Sequence, residues 1–183
     1  EDERPEHPVL AQMERLRGAF NTYFFSLVWE ANHSASTVTL ADYVFMRPET
    51  AGVPPWLLLV EIIGETRPDP QVMAGAEMRT LHTHAAHVIN WMNDIASFRR
   101  ESAVNADALN LAVVIGVERD IDAQRALDAA AVMHAEEVLR YQRAEAVLLR
   151  VAPPSVHAYV RSLGFVIGGF YTWFIGSGRY VDQ

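Results

Sequence analysis

A chain of 183 residues with 50% hydrophobic content is long enough to bury a core of its own and suits one domain, which excludes a disordered tail. Its 23 acidic residues outnumber 15 basic ones, all of them arginine, and the net charge of -8 speaks against general nucleic-acid binding. The absence of cysteine removes disulfides, thiolate catalysis and cysteine-based zinc sites together and fits a reducing compartment, so the expected location is cytoplasmic.

Residues 1 to 8 are charged and proline-interrupted, so no secretory signal is expected there. Residues 9 to 32 carry Leu10, Met13, Leu16, Phe20, Tyr23, Phe24 and Leu27 at three- and four-residue steps, which predicts an amphipathic helix. A polar turn, NHSAST, then offers Ser or Thr to cap a helix over LADYVFMRPET. That helix is predicted to stop near AGVPP, because Gly52 favours a C-terminal cap and Pro54 and Pro55 cannot extend the hydrogen-bond ladder.

WLLLVEIIGE resumes the helical pattern and RPDP at 67 to 70 breaks it. A long helix is predicted from Gln71 to Ser102 and a shorter one from Asp107 to Val117. Asp120 or Asp122 can cap a further long helix reaching Val151, ended by Pro153 and Pro154, and a last helix fills Val156 to Ile175. Within it, SLGFVIGGFYTWFIGSG (162 to 178) is nearly uncharged but has only 17 residues and five glycines, short of the roughly 20 a bilayer core needs. A buried helix and no membrane span are expected. No alternating strand pattern or internal repeat is present, so the fold class is all-α.

The stretch INWMNDIASFRRE (89 to 101) carries candidate chemistry. Four residues advance a helix by about 400°, so Asn93, Ser97 and Glu101 drift only about 40° per step and share a stripe. An amide oxygen, a hydroxyl and a carboxylate form a hard ligand set suited to Mg²⁺. Taken alone, the same pattern also describes a solvated helix face. Two histidine-bearing stretches are less suited to an ion: His82 and His84 point about 200° apart on one helix, and HAEE at 134 to 137 lacks the second histidine of a zinc hydrolase motif. His82, His84 and His87 are therefore read as structural.

NDIASFRRE resembles the second metal-binding motif of class I terpene synthases, in which Asn, Ser or Thr, and Glu bind one of three Mg²⁺ ions holding a prenyl diphosphate. Arg100 matches the basic residue that precedes the Glu. WFIGSGRY is similar to the C-terminal Trp and Arg-Tyr pair of bacterial members, on Trp173, Arg179 and Tyr180. YVFMRPETAGV resembles the family's broken helix, whose diphosphate-sensing, linker and effector positions fall on Arg47, Thr50 and Ala51. The separation 93 − 47 = 46 residues is about that of the family.

The resemblance implies a Mg²⁺-dependent cyclase that ionises an acyclic prenyl diphosphate, with farnesyl diphosphate favoured and geranyl diphosphate open. It implies that Arg47, Arg100, Arg179 and Tyr180 hold the diphosphate, that a backbone carbonyl at Ala51 faces the forming cation, and that Trp173, with Phe24 as a further candidate, shields it through an aromatic face. The family's aspartate-rich motif, which binds the other two ions, has no counterpart here. The chain thus reads as the C-terminal half of a single terpene synthase domain over residues 1 to 183, its exposed apolar face expected to be covered by a companion polypeptide carrying the first half or by a homodimer. The alternative is a non-catalytic remnant or helical interaction module that binds diphosphates weakly.

Overall fold

The computed structural model describes residues 8–64, 66 and 68–178. Among them run eight α-helices and no strand: α1 Pro8–Ala31, α2 Leu40–Thr50, α3 Val53–Ile63, α4 Pro70–Met73, α5 Ala76–Val104, α6 Leu111–Arg119, α7 Ala123–Val151 and α8 Pro154–Gly176. A 3-10 turn, Ala35–Thr37, links α1 to α2. The all-α expectation is borne out.

Local chemistry sets the helix ends. At α2, the Thr39 hydroxyl accepts the Asp42 N–H at 3.1 Å while the Asp42 carboxylate accepts the Thr39 N–H at 3.2 Å, a reciprocal cap that satisfies two otherwise orphaned donors. At α7 it is Asp122, not Asp120, that accepts an N–H of the first turn, from Arg125 at 2.9 Å. Three boundaries differ from the sequence expectation. α3 starts at Val53 with both prolines in its first turn, where an N–H would lack an intrahelical partner anyway. The long helix predicted from Gln71 is split, because Ala74 caps α4 and extended Gly75 opens α5. α6 starts at Leu111, since Asn110 caps it by accepting the Ala112 N–H at 3.0 Å.

The 29-residue α5 is the axis of the molecule and packs against α2, α3, α6, α7 and α8. Around its first half, Met78, Leu81, Val88 and Ile89 pack with Leu57 of α3, Tyr141 and Leu148 of α7, and Val156, Tyr159 and Leu163 of α8. Around its second half, Trp91 packs with Tyr43 of α2, Leu111, Val114 and Ile115 of α6, and Ala126 and Ala130 of α7. Each large apolar side chain enclosed in this way contributes about 1.5–3 kcal/mol relative to exposure. No helix among the described residues is long and apolar enough to cross a membrane. The 162–178 stretch instead buries Leu163 and Phe174 on one side of α8.

Candidate functional site

α2 lies alongside α5, and Arg47, in the last turn of α2, reaches across to it. Its Nη2 and Nε donate to Asp94 Oδ1 at 2.5 and 3.1 Å, and Nη2 also donates to Asn93 Oδ1 at 3.3 Å. The other Asp94 oxygen accepts the Tyr43 hydroxyl, one turn earlier on α2, and the Leu111 N–H at 3.3 Å from the start of α6. Asp94 is wholly enclosed and Arg47 nearly so. Burial opposes charge on both members, pushing the Asp94 carboxyl up, but the adjacent Asp94 holds the Arg47 proton more firmly than usual. Burial above all also pushes the Tyr43 hydroxyl up, so it remains a donor.

The three stripe residues sit where the spacing puts them, along one side of α5. Asn93 and Glu101 are half-buried, whereas Ser97 is fully enclosed and donates to the Asp94 carbonyl at 3.4 Å. Glu101 Oε2 accepts from Asn110 Nδ2 at 3.0 Å, and the same amide nitrogen donates to the Asp94 carbonyl at 2.8 Å. The residue that caps α6 thus also orients the end of the stripe. Glu30, in the last turn of α1, joins the electrostatics: burial pushes its carboxyl up, Arg47 pulls it down, and Asp94 and Glu101 push it up again. Glu30, Asp94 and Glu101 therefore feel one another's charge as well as that of Arg47.

Beside this cluster the chain breaks between α2 and α3. Ala51 donates its N–H to the Arg47 carbonyl at 3.1 Å, and Gly52 donates to Glu49 at 3.0 Å. Gly52 takes the left-handed conformation at φ 69°, so the predicted glycine cap is observed. Thr50 is buried and its hydroxyl turns back to the Arg47 carbonyl at 3.4 Å. The carbonyls of Thr50 and Ala51 would look four residues on for a donor, but those positions are Pro54 and Pro55, which have no N–H. The helical ladder therefore supplies neither oxygen with a partner. A cavity of about 150 Å³ adjoins Ala51, walled by Phe20 and Tyr23 of α1 and Pro55, Trp56 and Leu59 of α3.

Of the remaining expected residues, Arg100, Trp173 and Phe24 are among those described. Arg100 is exposed near the end of α5. Trp173 is 44% exposed on α8, edge-on to Phe174 at 5.2 Å, and Phe24 is 59% exposed on α1 between Phe20 and Tyr23. Arg179 and Tyr180 lie outside the described residues. The histidines diverge as expected: His82 meets the Tyr159 hydroxyl of α8 at 2.7 Å, while His84 turns to Glu137 of α7 at 2.6 Å. Burial works against charge on Glu137, but hydrogen bonds from His87, His84 and Arg140 outweigh it and bring the carboxyl down to about 2.

Residues 5–140 match the profile of terpene synthase family 2, C-terminal metal binding. The chain belongs to this terpene synthase family. It is 28% identical over 173 residues to a 4-epi-cubebol synthase of Streptosporangium roseum that cyclises (2E,6E)-farnesyl diphosphate, covering 93% of this chain and 52% of that protein. To bonnadiene synthase of Allokutzneria albata it is 30% identical over 173 residues, covering 93% of this chain and 48% of that one. The fold is similar to that of 2-methylisoborneol synthase from Streptomyces coelicolor A3(2), a structure in complex with Mg²⁺ and 2-fluoroneryl diphosphate. That match has a TM-score of 0.85 at 21% identity, with 94% of this chain and 54% of that one covered. The terpene synthase chain described here thus spans about half the length of the curated relatives it matches.

Sequence reasoning missed four members of the cluster. Asp94 lies inside the quoted motif but one residue off the four-step stripe. Tyr43 reads as an ordinary core aromatic, Asn110 as a loop residue and Glu30 as a surface charge near a helix end. Only Asp94, an acidic residue flanked by Trp91, Met92 and Ile95, carried a usable signal.

Proposed function

We propose that residues 1 to 183 are the C-terminal half of a class I terpene synthase domain that ionises an acyclic prenyl diphosphate and cyclises the resulting cation. The observation that carries this reading is the placement of Arg47 on Asn93 and Asp94, next to the helix break at Ala51. Family membership and the names of the relatives support it.

Asn93, Ser97 and Glu101 fit Mg²⁺. Their oxygens are hard donors, and those of Asn93 and Glu101 already face N–H groups that a cation would replace. One of the three ions of a complete site would be held here, and the Mg²⁺ in the 2-methylisoborneol synthase complex supports that choice of metal. When bound, Mg²⁺ supplies positive charge to the diphosphate oxygens. Arg47, poised by Asp94, supplies directional N–H donors to the same group, joined by Arg100, Arg179 and the Tyr180 hydroxyl. Buried Thr50 fixes the link from Arg47 to Ala51, whose carbonyl, without a ladder donor, offers negative potential to the allylic cation. The faces of Trp173 and Phe24 are available for cation-π shielding.

Farnesyl diphosphate is the favoured substrate, in line with the 4-epi-cubebol synthase, and geranyl diphosphate is the second candidate. The wall bearing the aspartate-rich motif comes from a companion polypeptide, since a second copy of this chain would cover its apolar face without supplying the motif. The test is gas-chromatographic product analysis of the complete assembly, its components identified by intact mass, with farnesyl diphosphate and Mg²⁺. Glu101→Ala should lower turnover by about 100-fold or more while leaving the helical circular-dichroism signal unchanged, because it removes an ion ligand and little packing. Wild-type turnover would remove the metal assignment.

The competing reading, a helical interaction module with weak diphosphate binding, draws on the complete burial of Ser97 and the neutralisation of Arg47 by Asp94. It predicts no cyclic product even when an aspartate-bearing half is supplied.

A further inference from the structure

His84 and His87 are three residues apart on α5, so both imidazoles face α7, where Glu137 stands. His84 Nδ1 lies 2.6 Å and His87 Nδ1 3.0 Å from the same oxygen, Glu137 Oε1. Ligand atoms of all three residues lie within 4.8 Å of one another. The opposite carboxylate oxygen, Oε2, accepts from Arg140 Nη1 at 2.9 Å, which leaves Oε1 as the oxygen turned toward the two rings.

The second nitrogen of His87 decides what can lie between them. His87 Nε2 faces the Val44 carbonyl of α2 at 3.2 Å, an acceptor only, so Nε2 carries the hydrogen. At 3.0 Å Nδ1 can then meet the carboxylate oxygen only through a second proton, which a cation would replace as the ligand atoms open to roughly 3.3 Å. An imidazole that gives one N–H to a backbone carbonyl and turns its other nitrogen inward is the usual posture of a metal-ligating histidine.

We propose that His84, His87 and Glu137 form a site for a divalent transition metal of the zinc class, tying α5 to α7. Two imidazoles and one carboxylate suit Zn²⁺, Co²⁺ or Ni²⁺ and are the wrong donors for Mg²⁺. The site is distinct from the Asn93–Ser97–Glu101 stripe: six residues turn α5 by about 240° net, so His87 and Asn93 face different sides, about 9 Å apart along the axis. A cavity of about 430 Å³ lined by Thr80, His84, Arg140 and Arg143 opens on the His84 side of the cluster.

The inference does not depend on cyclase activity, and its test is a binding measurement. Chelator-stripped protein is titrated with Zn²⁺ by calorimetry in excess Mg²⁺, and with Co²⁺ while recording visible d–d absorption. The expected result is one ion per chain, a tetrahedral-type Co²⁺ spectrum, and affinity at least tenfold weaker in His84→Ala and Glu137→Gln but unchanged in Glu101→Ala. His84→Gln, which keeps a polar group at this half-buried position, replaces His84→Ala if that variant does not fold. Absence of Zn²⁺ binding, or binding that these substitutions leave unaltered, would overturn the proposal and assign the cluster to protons alone.

Discussion

At the scale of single residues, Asp94 is the pivot. Its carboxylate accepts from a guanidinium and a phenol of α2 and a backbone amide of α6, and its carbonyl accepts from Asn110 and Ser97. Such a group cannot be removed without leaving Arg47 charged in a nearly enclosed space. Asp94→Ala should therefore cost about 3–5 kcal/mol, the usual effect of stripping one partner from a buried ion pair. Tyr43→Phe removes only one of several donors and should cost about 1.5–3 kcal/mol. Urea denaturation of both variants checks the ranking; equal losses would mean that Arg47 finds another counter-charge, with Glu30 a candidate. The stripe at Asn93, Ser97 and Glu101 was legible because a helix repeats every 3.6 residues and the helix was itself legible. The cross-helix partners were not, because periodicity within one segment carries no information about the register between two. Glu137 with His84 and His87, about 50 residues apart, is the same case.

At the scale of elements, the hydrophobic repeats foretold the long helices and the breakers foretold roughly where they stop. The misplaced ends all involve residues whose behaviour depends on a neighbour. Pro54 and Pro55 read as a stop, yet in the first turn of α3 they are compatible with the helix; Asn110 caps α6 through Oδ1 while its Nδ2 is held by Asp94 and Glu101. Gly52 is the element-scale hinge, since φ 69° carries the chain from α2 to α3 with no intervening loop. A Cβ there would also stand 3.2 Å from the Tyr23 ring, closer than ordinary contact. Gly52→Ala is expected to destabilise by about 1–2 kcal/mol, the cost of a left-handed alanine plus the displacement of Tyr23. A denaturation midpoint equal to wild type would mean that the break relaxes to negative φ, and Ala51 would then lose its fixed relation to Arg47.

At the scale of the molecule, α5 ties the other helices together, but α1, α3 and α8 still present large apolar side chains to solvent, among them Phe25 at 78%, Trp56 at 55% and Phe165 at 81% exposure. That surface is suited to covering by further polypeptide. What holds these outer helices is partly polar: Glu61 of α3 accepts from Gln12 and Arg15 of α1, each at 2.6 Å, while His82 of α5 meets Tyr159 of α8, whose hydroxyl also approaches the Leu57 carbonyl of α3. Burial, with a smaller push from Arg15, lowers His82 from 6.5 to about 4. The folded chain thus keeps this ring neutral over a range where the unfolded chain takes up a proton. As pH falls from about 6.5 to about 4, proton uptake favours the unfolded state, and stability drops by at most about 3 kcal/mol at about 1.4 kcal/mol per pH unit, an upper bound because the ring is partly exposed. Above 6.5 the contribution is level. His82→Gln preserves an acceptor for Tyr159 and cannot titrate, so its stability should decline less than that of wild type between pH 7 and pH 4.5. Parallel urea midpoints for the two proteins across that interval would show that His82 charges freely in the folded state and that the α5–α8 contact opens to admit water.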